Sequence, residues 1–179
     1  MKVLLDTCVL FPTVMREVLL AAARTGAFEP IWSARILEEW ARAARKLGPS
    51  GQMQAEAEIA LLRAGWSKAE RPAAPGREAA LWLPDPADVH VLAVAIEAGA
   101  DAICTLNAKD FPRGTLSDWE IQRLDPDALA LSVWQVHGNA MEAACAQILA
   151  QAQQMSGTEW TMRGLLKKAR LPRLAKALA

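Results

Sequence analysis

The sequence lacks long apolar runs and has few of the residues that bind zinc or form disulfides. No stretch reaches the roughly 20 apolar residues that cross a bilayer, and Asp6 interrupts the apolar start of the chain. We therefore expect a cytoplasmic protein without a membrane span or a signal peptide. The three cysteines, Cys8, Cys104 and Cys145, lie far apart in apolar runs without a CxxC spacing. This pattern predicts reduced, packed thiols rather than disulfides or a zinc site.

The chain has no net charge, because 20 Lys and Arg balance 20 Asp and Glu. This excludes a basic coat over the whole surface of the kind that favours nucleic acid. The charges are nevertheless segregated, since no acid follows Glu159 and residues 160–179, the basic tail, contain six cations. These cations are Arg163, Lys167, Lys168, Arg170, Arg173 and Lys176. The tail is expected to contact RNA phosphates or an acidic protein partner, or to be a solvated helical face.

Short apolar segments alternate with segments of helical periodicity along the chain. The predicted strands cover residues 3–5, 28–32, 101–105 and 119–124. The predicted helices cover residues 12–24, 33–47, 52–64, 85–98 and 127–154, followed by a helical piece that Pro172 interrupts. Residues 65–80 are predicted as a connector, because proline and glycine occur there. Strands that alternate with helices from the first residues on predict an α/β domain with a parallel sheet.

Acidic residues stand at positions that a parallel sheet brings to one edge. Asp6 ends the first predicted strand, and Asp110 follows the third. Asp88 lies in the first turn of the preceding helix, where Asp85 suits the N-cap and Pro86 the first helical position. Sites in open α/β sheets form beyond the carboxyl ends of the strands. The acids are therefore expected close together, although each alone could be a turn former or a helix cap.

The helix predicted after Ser33 offers one further acid. Its apolar face comprises Ile36, Trp40, Ala43 and Leu47. On a helical wheel Glu39 lies about 60° from the centre of this face, whereas Glu38 points nearly the opposite way. Glu38 is expected in solvent or paired with Arg42 at i, i+4. Glu39 is therefore the preferred site acid, with Glu38 as its substitute.

Several carboxylates close together predict a bound cation. Like charges raise each other's pKa values unless a cation neutralises them. Oxygen ligands suit Mg²⁺ or Mn²⁺, whereas zinc would favour His or Cys, and the only histidines are His90 and His137. Metal-bound water among carboxylates is suited to phosphodiester hydrolysis.

Four segments resemble, in the same order, the acidic motifs of PIN-domain ribonucleases. They are residues 3–10 (VLLDTCVL), 33–40 (SARILEEW), 85–95 (DPADVHVLAVA) and 105–112 (TLNAKDFP). Residues 121–127 also resemble the closing strand of this family and the proline turn after it. The match covers about residues 2–130, and four ordered motifs are specific where any one alone would be weak.

The resemblance implies a three-layer α/β/α fold with a central parallel sheet of about five strands. It implies a nuclease domain over residues 1–130 and a helical extension over residues 131–179, similar to one subgroup of VapC-like toxins. The expected activity is that of a Mg²⁺- or Mn²⁺-dependent endoribonuclease that cuts structured RNA such as tRNA. The expected partners are a small antitoxin protein and a second copy of the chain.

The resemblance also implies roles for individual residues. Asp6, Glu39, Asp88 and Asp110 correspond to the catalytic and metal-binding acids. Asp6 and Asp88 would hold the principal metal ion, Glu39 would complete its ligands or position water, and Asp110 would hold a second metal ion or its water. Asn107 stands where many relatives have Asp, which leaves open whether one or two metal ions bind. The remaining expected contributors are Thr7 and Thr105 as supporting groups and Lys167, Lys168, Arg170 and Arg173 as RNA or partner contacts.

Three alternatives fit parts of the pattern. An aspartyl-phosphate phosphatase also places an aspartate after its first strand, but it needs a second acid where Cys8 stands. A phospho-receiver-like signalling domain would use Thr105 and Lys109, but it expects an acidic pair where only Asp6 is present. The third alternative is a PIN-like module that binds RNA or a protein without cutting, and the presence of all four acids argues against it.

Overall fold

The computed structural model describes residues 1–178 and contains a five-stranded parallel sheet with flanking helices. The strands are β1 (Lys2–Leu5), β2 (Glu29–Ser33), β3 (Glu70–Arg71), β4 (Ala102–Cys104) and β5 (Gln122–Leu124). Their order across the sheet is β3-β2-β1-β4-β5. The predicted α/β/α fold with a helical C-terminal part is therefore confirmed.

The helices of residues 1–178 vary widely in length. They are α1 (Thr7–Leu10), α2 (Thr13–Arg24), α3 (Ala34–Arg45), α4 (Pro49–Gly65), α5 (Pro75–Glu78), α6 (Val89–Glu97), α7 (Arg113–Ser117), α8 (Pro126–Ser156), α9 (Met162–Lys168) and α10 (Pro172–Ala177). A 3-10 turn over Pro86–Asp88 leads directly into α6. None of these helices is long and apolar enough to cross a membrane.

The register of β1 explains how the acidic edge of the sheet arises. Residues 3–5 are fully buried, as expected for an apolar central strand. Leu5 of β1 lies opposite Cys104 of β4 in the parallel pairing. The residues that follow, Asp6 and Thr105, therefore leave the sheet side by side at its carboxyl edge.

Several helix ends follow the signals in the sequence. The Ser33 hydroxyl caps α3 by accepting the N–H of Ile36 at 3.3 Å. The Asp85 carboxylate caps the 3-10 turn by accepting the N–H of Ala87 at 2.9 Å. Gly157 ends α8 with a φ of 64°, a left-handed conformation that favours glycine. The predicted caps and the predicted break are confirmed.

Other local features differ from the prediction. The connector predicted over residues 65–80 contains β3 and α5, and the short helices α1 and α7 were not predicted. None of these four elements exceeds five residues, so none is long enough to show a clear period. α3 ends at Arg45, and Leu47, predicted on its apolar face, is 67% exposed.

The chain divides into two compact units. The first comprises residues 1–8 and 29–123 and contains β1 to β4. The second comprises residues 9–28 and the chain from residue 124 onward. Within it, α2 packs along α8, and α9 and α10 pack on α8 and on each other. The domain boundary predicted near residue 130 lies within α8 and stays a prediction.

Candidate active site

Asp6 lies at the carboxyl end of β1, where two neighbours hold its carboxylate. The residue is only 3% exposed. Its Oδ2 accepts hydrogen bonds from the Thr105 hydroxyl at 2.7 Å and from the Cys8 thiol at 3.0 Å. Its backbone N–H donates to the Cys104 carbonyl at 3.2 Å, which extends the β1–β4 pairing by one residue. These contacts fix both the position and the orientation of the carboxylate.

The Cys8 thiol is a neutral donor in this arrangement. Burial, and then the negative charge of Asp6, raise the pKa of Cys8 to about 12. A neutral thiol can donate to Asp6, but it cannot serve as the second acid of a phosphatase site. Cys8, Cys104 and Cys145 form no disulfide within residues 1–178.

Glu39 of α3 is held by Thr7 and His90 from two other parts of the first unit and by Arg35 of its own helix. Its Oε2 accepts a hydrogen bond from the Thr7 hydroxyl at 3.0 Å, and its Oε1 lies 2.9 Å from His90 Nε2. Arg35, one helical turn earlier, lies 3.6 Å from Oε1. Burial acts to raise the pKa of Glu39, but His90, Thr7 and Arg35 together lower it below its ordinary value. Glu38, in contrast, is exposed.

His90 is a buried neighbour of this site whose contact with Glu39 was not predicted. It lies on α6 and is 2% exposed. Its Nε2 lies 2.9 Å from Glu39 Oε1, and neither Nε2 nor the buried Nδ1 makes a hydrogen bond of good geometry among residues 1–178. The sequence shows only one histidine in an apolar helix, a pattern that is typical of a packed residue. His90 therefore helps to position Glu39 from the buried side.

Asp85, Asp88 and Asp110 form a cluster of carboxylates. One oxygen atom from each lies within 4.8 Å of the others. Asp85 and Asp88 meet because they are three residues apart around a 3-10 turn, in which side chains at i and i+3 nearly eclipse. The cap at Asp85 was predicted, but its place in the cluster was not. The i, i+3 spacing of the two acids is the signal that would have shown it.

Asp88 lies close enough to the other acids for their negative charges to affect its pKa. Its pKa is raised to about 6, first by burial and then by negative charge. The acids that contribute this charge are Asp6, Asp85, Asp110 and Glu39. The structure therefore brings the other three predicted acids, Asp6, Glu39 and Asp110, within electrostatic reach of Asp88, together with Asp85.

Backbone hydrogen bonds shape the loop that carries Asp110. The Asn107 N–H donates to the Thr105 hydroxyl at 3.0 Å, and the Asp110 N–H donates to the Asn107 carbonyl at 3.1 Å. Arg123 donates to the carbonyl oxygens of residues 108 and 111, at 2.5 and 2.8 Å. Arg123 therefore fixes the backbone on both sides of Asp110. The sequence around Arg123 does not predict this role. The supporting role predicted for Asn107 stays a prediction.

The predicted contact residues of the basic tail lie in the second unit, on exposed surface. Lys167 and Lys168 belong to α9, Arg170 lies in the turn after it, and Arg173 belongs to α10. The Lys168 ammonium lies 4.8 Å from the centre of the Trp160 ring. The function of these residues stays a prediction at this point.

The acidic edge and the order of its motifs coincide with the pattern of one family. The family model described as PIN domain matches residues 2–109, more than half of the chain. The chain belongs to the PIN domain family. Asp6, Glu39 and Asp88 lie within the matched part of the PIN domain, and Asp110 directly follows it. No curated protein and no solved structure gives a significant match.

PIN domains are generally nucleases, and those nucleases use divalent metal ions. In this PIN domain, Asp85, Asp88 and Asp110 provide carboxylate oxygens close enough to share one ion. A divalent cation there would offset the negative charge that raises the pKa of Asp88. The residues present therefore fit a divalent metal ion.

Proposed function

We propose that this PIN domain is an endoribonuclease that hydrolyses RNA phosphodiester bonds with Mg²⁺ or Mn²⁺. The observation that carries the proposal is the crowding of acids around Asp88, whose pKa is raised to about 6. Such crowding disfavours the ionised carboxylate until a cation binds, and strongly shifted acids cluster at functional sites. Hard oxygen ligands are those that Mg²⁺ and Mn²⁺ prefer.

Each acid has a distinct role in this proposal. Asp6 and Asp88 hold the principal metal ion, directly or through its water, and Asp110 holds a second ion or a metal-bound water. Glu39 completes the ligands or positions the attacking water, and its lowered pKa keeps it an acceptor at neutral pH. Asp85 is an additional acceptor for metal-bound water, because it faces Asp88 and Asp110.

The protein's own contribution is orientation and charge. A bound divalent cation supplies a water of lowered pKa and offsets the charge on the phosphate. Thr105 and Cys8 hold the Asp6 carboxylate in one orientation, and Thr7 and His90 do the same for Glu39. Carboxylates held in this way lose little conformational entropy when a ligand binds.

The environment of Cys8 argues against two of the alternative functions. A phosphatase or a receiver-like domain needs a second acid close after the first strand. The Cys8 thiol, with its pKa of about 12, remains protonated and donates to Asp6 instead. A PIN-like module that binds without cutting has the same acids, so experiment must separate it from a nuclease.

A metal titration makes that separation. The purified protein is first treated with a chelator and then given Mg²⁺, Mn²⁺ or buffer alone. We expect cleavage of RNA only with metal, and a higher Tm because a ligand of the folded state stabilises it. A panel of RNAs that includes tRNA tests the substrate. A higher Tm without cleavage of any RNA would identify a binding module, and no response in either readout would overturn the metal site.

We also propose that the protein is the toxin of a type II toxin–antitoxin pair and acts as a cytoplasmic homodimer bound by a small antitoxin. The support is the resemblance of its four motifs to those of VapC-like toxins. Expression of the chain should arrest bacterial growth, and the Asp88→Asn variant should not. Co-expression of the product of the neighbouring reading frame should restore growth and co-purify with the chain. A growth defect equally strong in Asp88→Asn would refute the toxin proposal.

A further inference from the structure

The basic tail concentrates positive charge that the proposed nuclease site does not use. Its six cations, Arg163, Lys167, Lys168, Arg170, Arg173 and Lys176, are all exposed. The ion pairs found within residues 1–178 include none of them. Residues 160–179 contain no Asp or Glu side chain. Six exposed cations without acidic partners form a surface suited to an anionic ligand.

The tail is a folded scaffold for these cations. Its packed apolar residues are Leu165, Leu166, Leu171, Leu174 and Ala175, and each is at most 4% exposed. The buried Asp127 of α8 accepts the N–H groups of Arg173 and Leu174 at 2.8 and 3.0 Å. These are amide groups at the start of α10, which otherwise lack partners within a helix. The cations are therefore displayed by two short helices anchored on α8.

Arg170 occupies a position at which glycine would be less strained. Its φ is 62°, in the turn that links α9 to α10. Helices commonly end in this left-handed conformation, and glycine adopts it without the clash that a Cβ atom causes. Because backbone geometry alone favours glycine at this position, the presence of an arginine indicates that its exposed charge has a function.

We propose that the basic tail binds the phosphate backbone of the nucleic acid on which the enzyme acts. The proposal rests on the proposed nuclease function and assigns it a substrate-binding surface. Residues 160–178 contain none of the large, exposed hydrophobic side chains found elsewhere in the described chain. Protein interfaces have apolar and aromatic cores, whereas phosphate contacts need only exposed cations and polar groups. The surface therefore matches nucleic acid better than a protein.

An acidic protein partner is the competing occupant. Such a partner would need an apolar anchor, and a pocket of about 310 Å³ between α2, α8 and α9 is the place for one. Its lining includes Met15, Trp160 and Leu165, with Lys168 at its edge. The two occupants differ in salt dependence and in assembly, so one set of variants separates them.

Substitutions that replace the cations with neutral side chains are the suitable test. Deleting the tail would also remove leucines that pack the second unit. The test variant is the triple substitution Lys167→Gln, Arg173→Gln and Lys176→Gln, whose side chains are exposed. The matched control is Arg42→Gln, Arg45→Gln and Lys46→Gln, three exposed cations at the end of α3. Binding of full-length protein to a fluorescent single-stranded RNA is measured by anisotropy in EDTA, which prevents metal-dependent cleavage.

We expect the tail variant to bind RNA roughly 100-fold more weakly near 0.1 M salt, because each phosphate contact contributes about 0.7 to the salt slope. The slope of log affinity against log salt should fall by about 2, for three lost contacts. The control should match the wild type. Arg170→Gly should lose about 5-fold in affinity for its one contact while its Tm stays the same or rises.

Two outcomes would overturn the proposal. Parallel salt lines for the tail variant and the wild type would remove the tail from RNA binding, and a changed oligomeric state would then identify a protein contact. Equal losses of RNA affinity in the tail variant and the control would show that affinity depends on the net charge of the protein and not on the position of the cations. Because binding is measured without metal, failure of the nuclease proposal would appear separately, as the absence of metal-dependent cleavage of any RNA by the wild-type protein.

Discussion

The acidic edge of the sheet and the basic tail both concentrate one sign of charge, but burial makes them behave differently. At the edge, Asp6 is 3% exposed and Asp88 is partly buried, and burial together with neighbouring negative charges raises the pKa of Asp88 to about 6. In the tail, all six cations are exposed and water screens their repulsion. Crowded, desolvated charges are typical of a site for one small ion. Exposed charges spread over helices are typical of a surface for a polyanion.

The difference in burial predicts different effects for substitutions in the two regions. Changes at the acidic edge should affect metal binding and the chemical step and leave RNA affinity in chelator nearly unchanged. Changes in the tail should affect affinity and its salt dependence. At the acidic edge, we expect the largest effect for substitutions of Asp88 and Asp6 and the smallest for the pH dependence of stability.

Asp88→Asn and Asp6→Asn should each lower metal-dependent RNA cleavage by about 10³-fold or more, because each removes several kcal/mol of metal-mediated charge stabilisation. Single-turnover cleavage rates in Mg²⁺ provide the measurement. Asp118→Asn is the control, since Asp118 is exposed and lies outside the acidic cluster. Rates close to wild type in either site variant would separate the acidic edge from catalysis.

Glu39→Gln should lower cleavage by roughly 10- to 100-fold, an effect of the size seen when groups that orient metal ligands are lost. Glu38→Gln should leave the rate unchanged, because Glu38 is exposed whereas Glu39 contacts Thr7 and His90. The pair of variants has identical chemistry and differs only in the face of α3. If Glu38→Gln is the impaired protein, the proposed site must be redrawn.

Thr105→Val should weaken metal binding by about 10-fold, because the hydroxyl that orients Asp6 is lost while the side-chain shape is kept. Metal titration followed by Tm gives the affinity. Thr115→Val is the control, since Thr115 lies on α7, outside the acidic cluster. Equal metal affinity in wild type and Thr105→Val would show that Asp6 needs no such support.

The pH dependence of stability gives the smallest expected effect. Asp88 has a folded-state pKa of about 6, above its ordinary value of 3.8. Its protonation therefore stabilises the folded protein fully below about pH 4, and this contribution is lost as pH rises through about 6. The loss is about 1 kcal/mol, less than the full shift implies, because the side chain is partly exposed to solvent.

Asp88→Asn should abolish this dependence in chelator. The free energy of unfolding of the variant, relative to wild type, should rise between pH 4 and pH 7. Urea unfolding at several pH values measures the difference. A difference that stays constant with pH would mean that neither burial nor the neighbouring acids raise the pKa of Asp88.

The sequence predicted the features that depend on neighbouring residues. Ser33 and Asp85 are caps whose side chains reach backbone groups only two or three residues away. The helical wheel separated Glu38 from Glu39 because the period of a helix is fixed by its backbone. The elements that escaped prediction, such as β3 and α7, are too short to show a period.

The details of the site depended on contacts between distant residues. His90 meets Glu39 across 51 positions of sequence, and Arg123 reaches the loop of Asp110 from β5. Neither contact has a local signal, because each is set by how helices and strands pack. Asp85 is the exception, since its spacing from Asp88 in a 3-10 turn was visible in the sequence.

The sequence by itself determined the order of the longer strands and helices along the chain, the four acidic motifs and the segregation of charge. Local periodicity, capping and composition encode these features. Only the tertiary structure decided that Asp110 joins Asp85 and Asp88, and that His90 lies against Glu39. Only it decided that the tail's leucines are buried while its cations face solvent. Proximity, burial and the resulting pKa shifts arise when distant segments pack, and a linear pattern does not specify them.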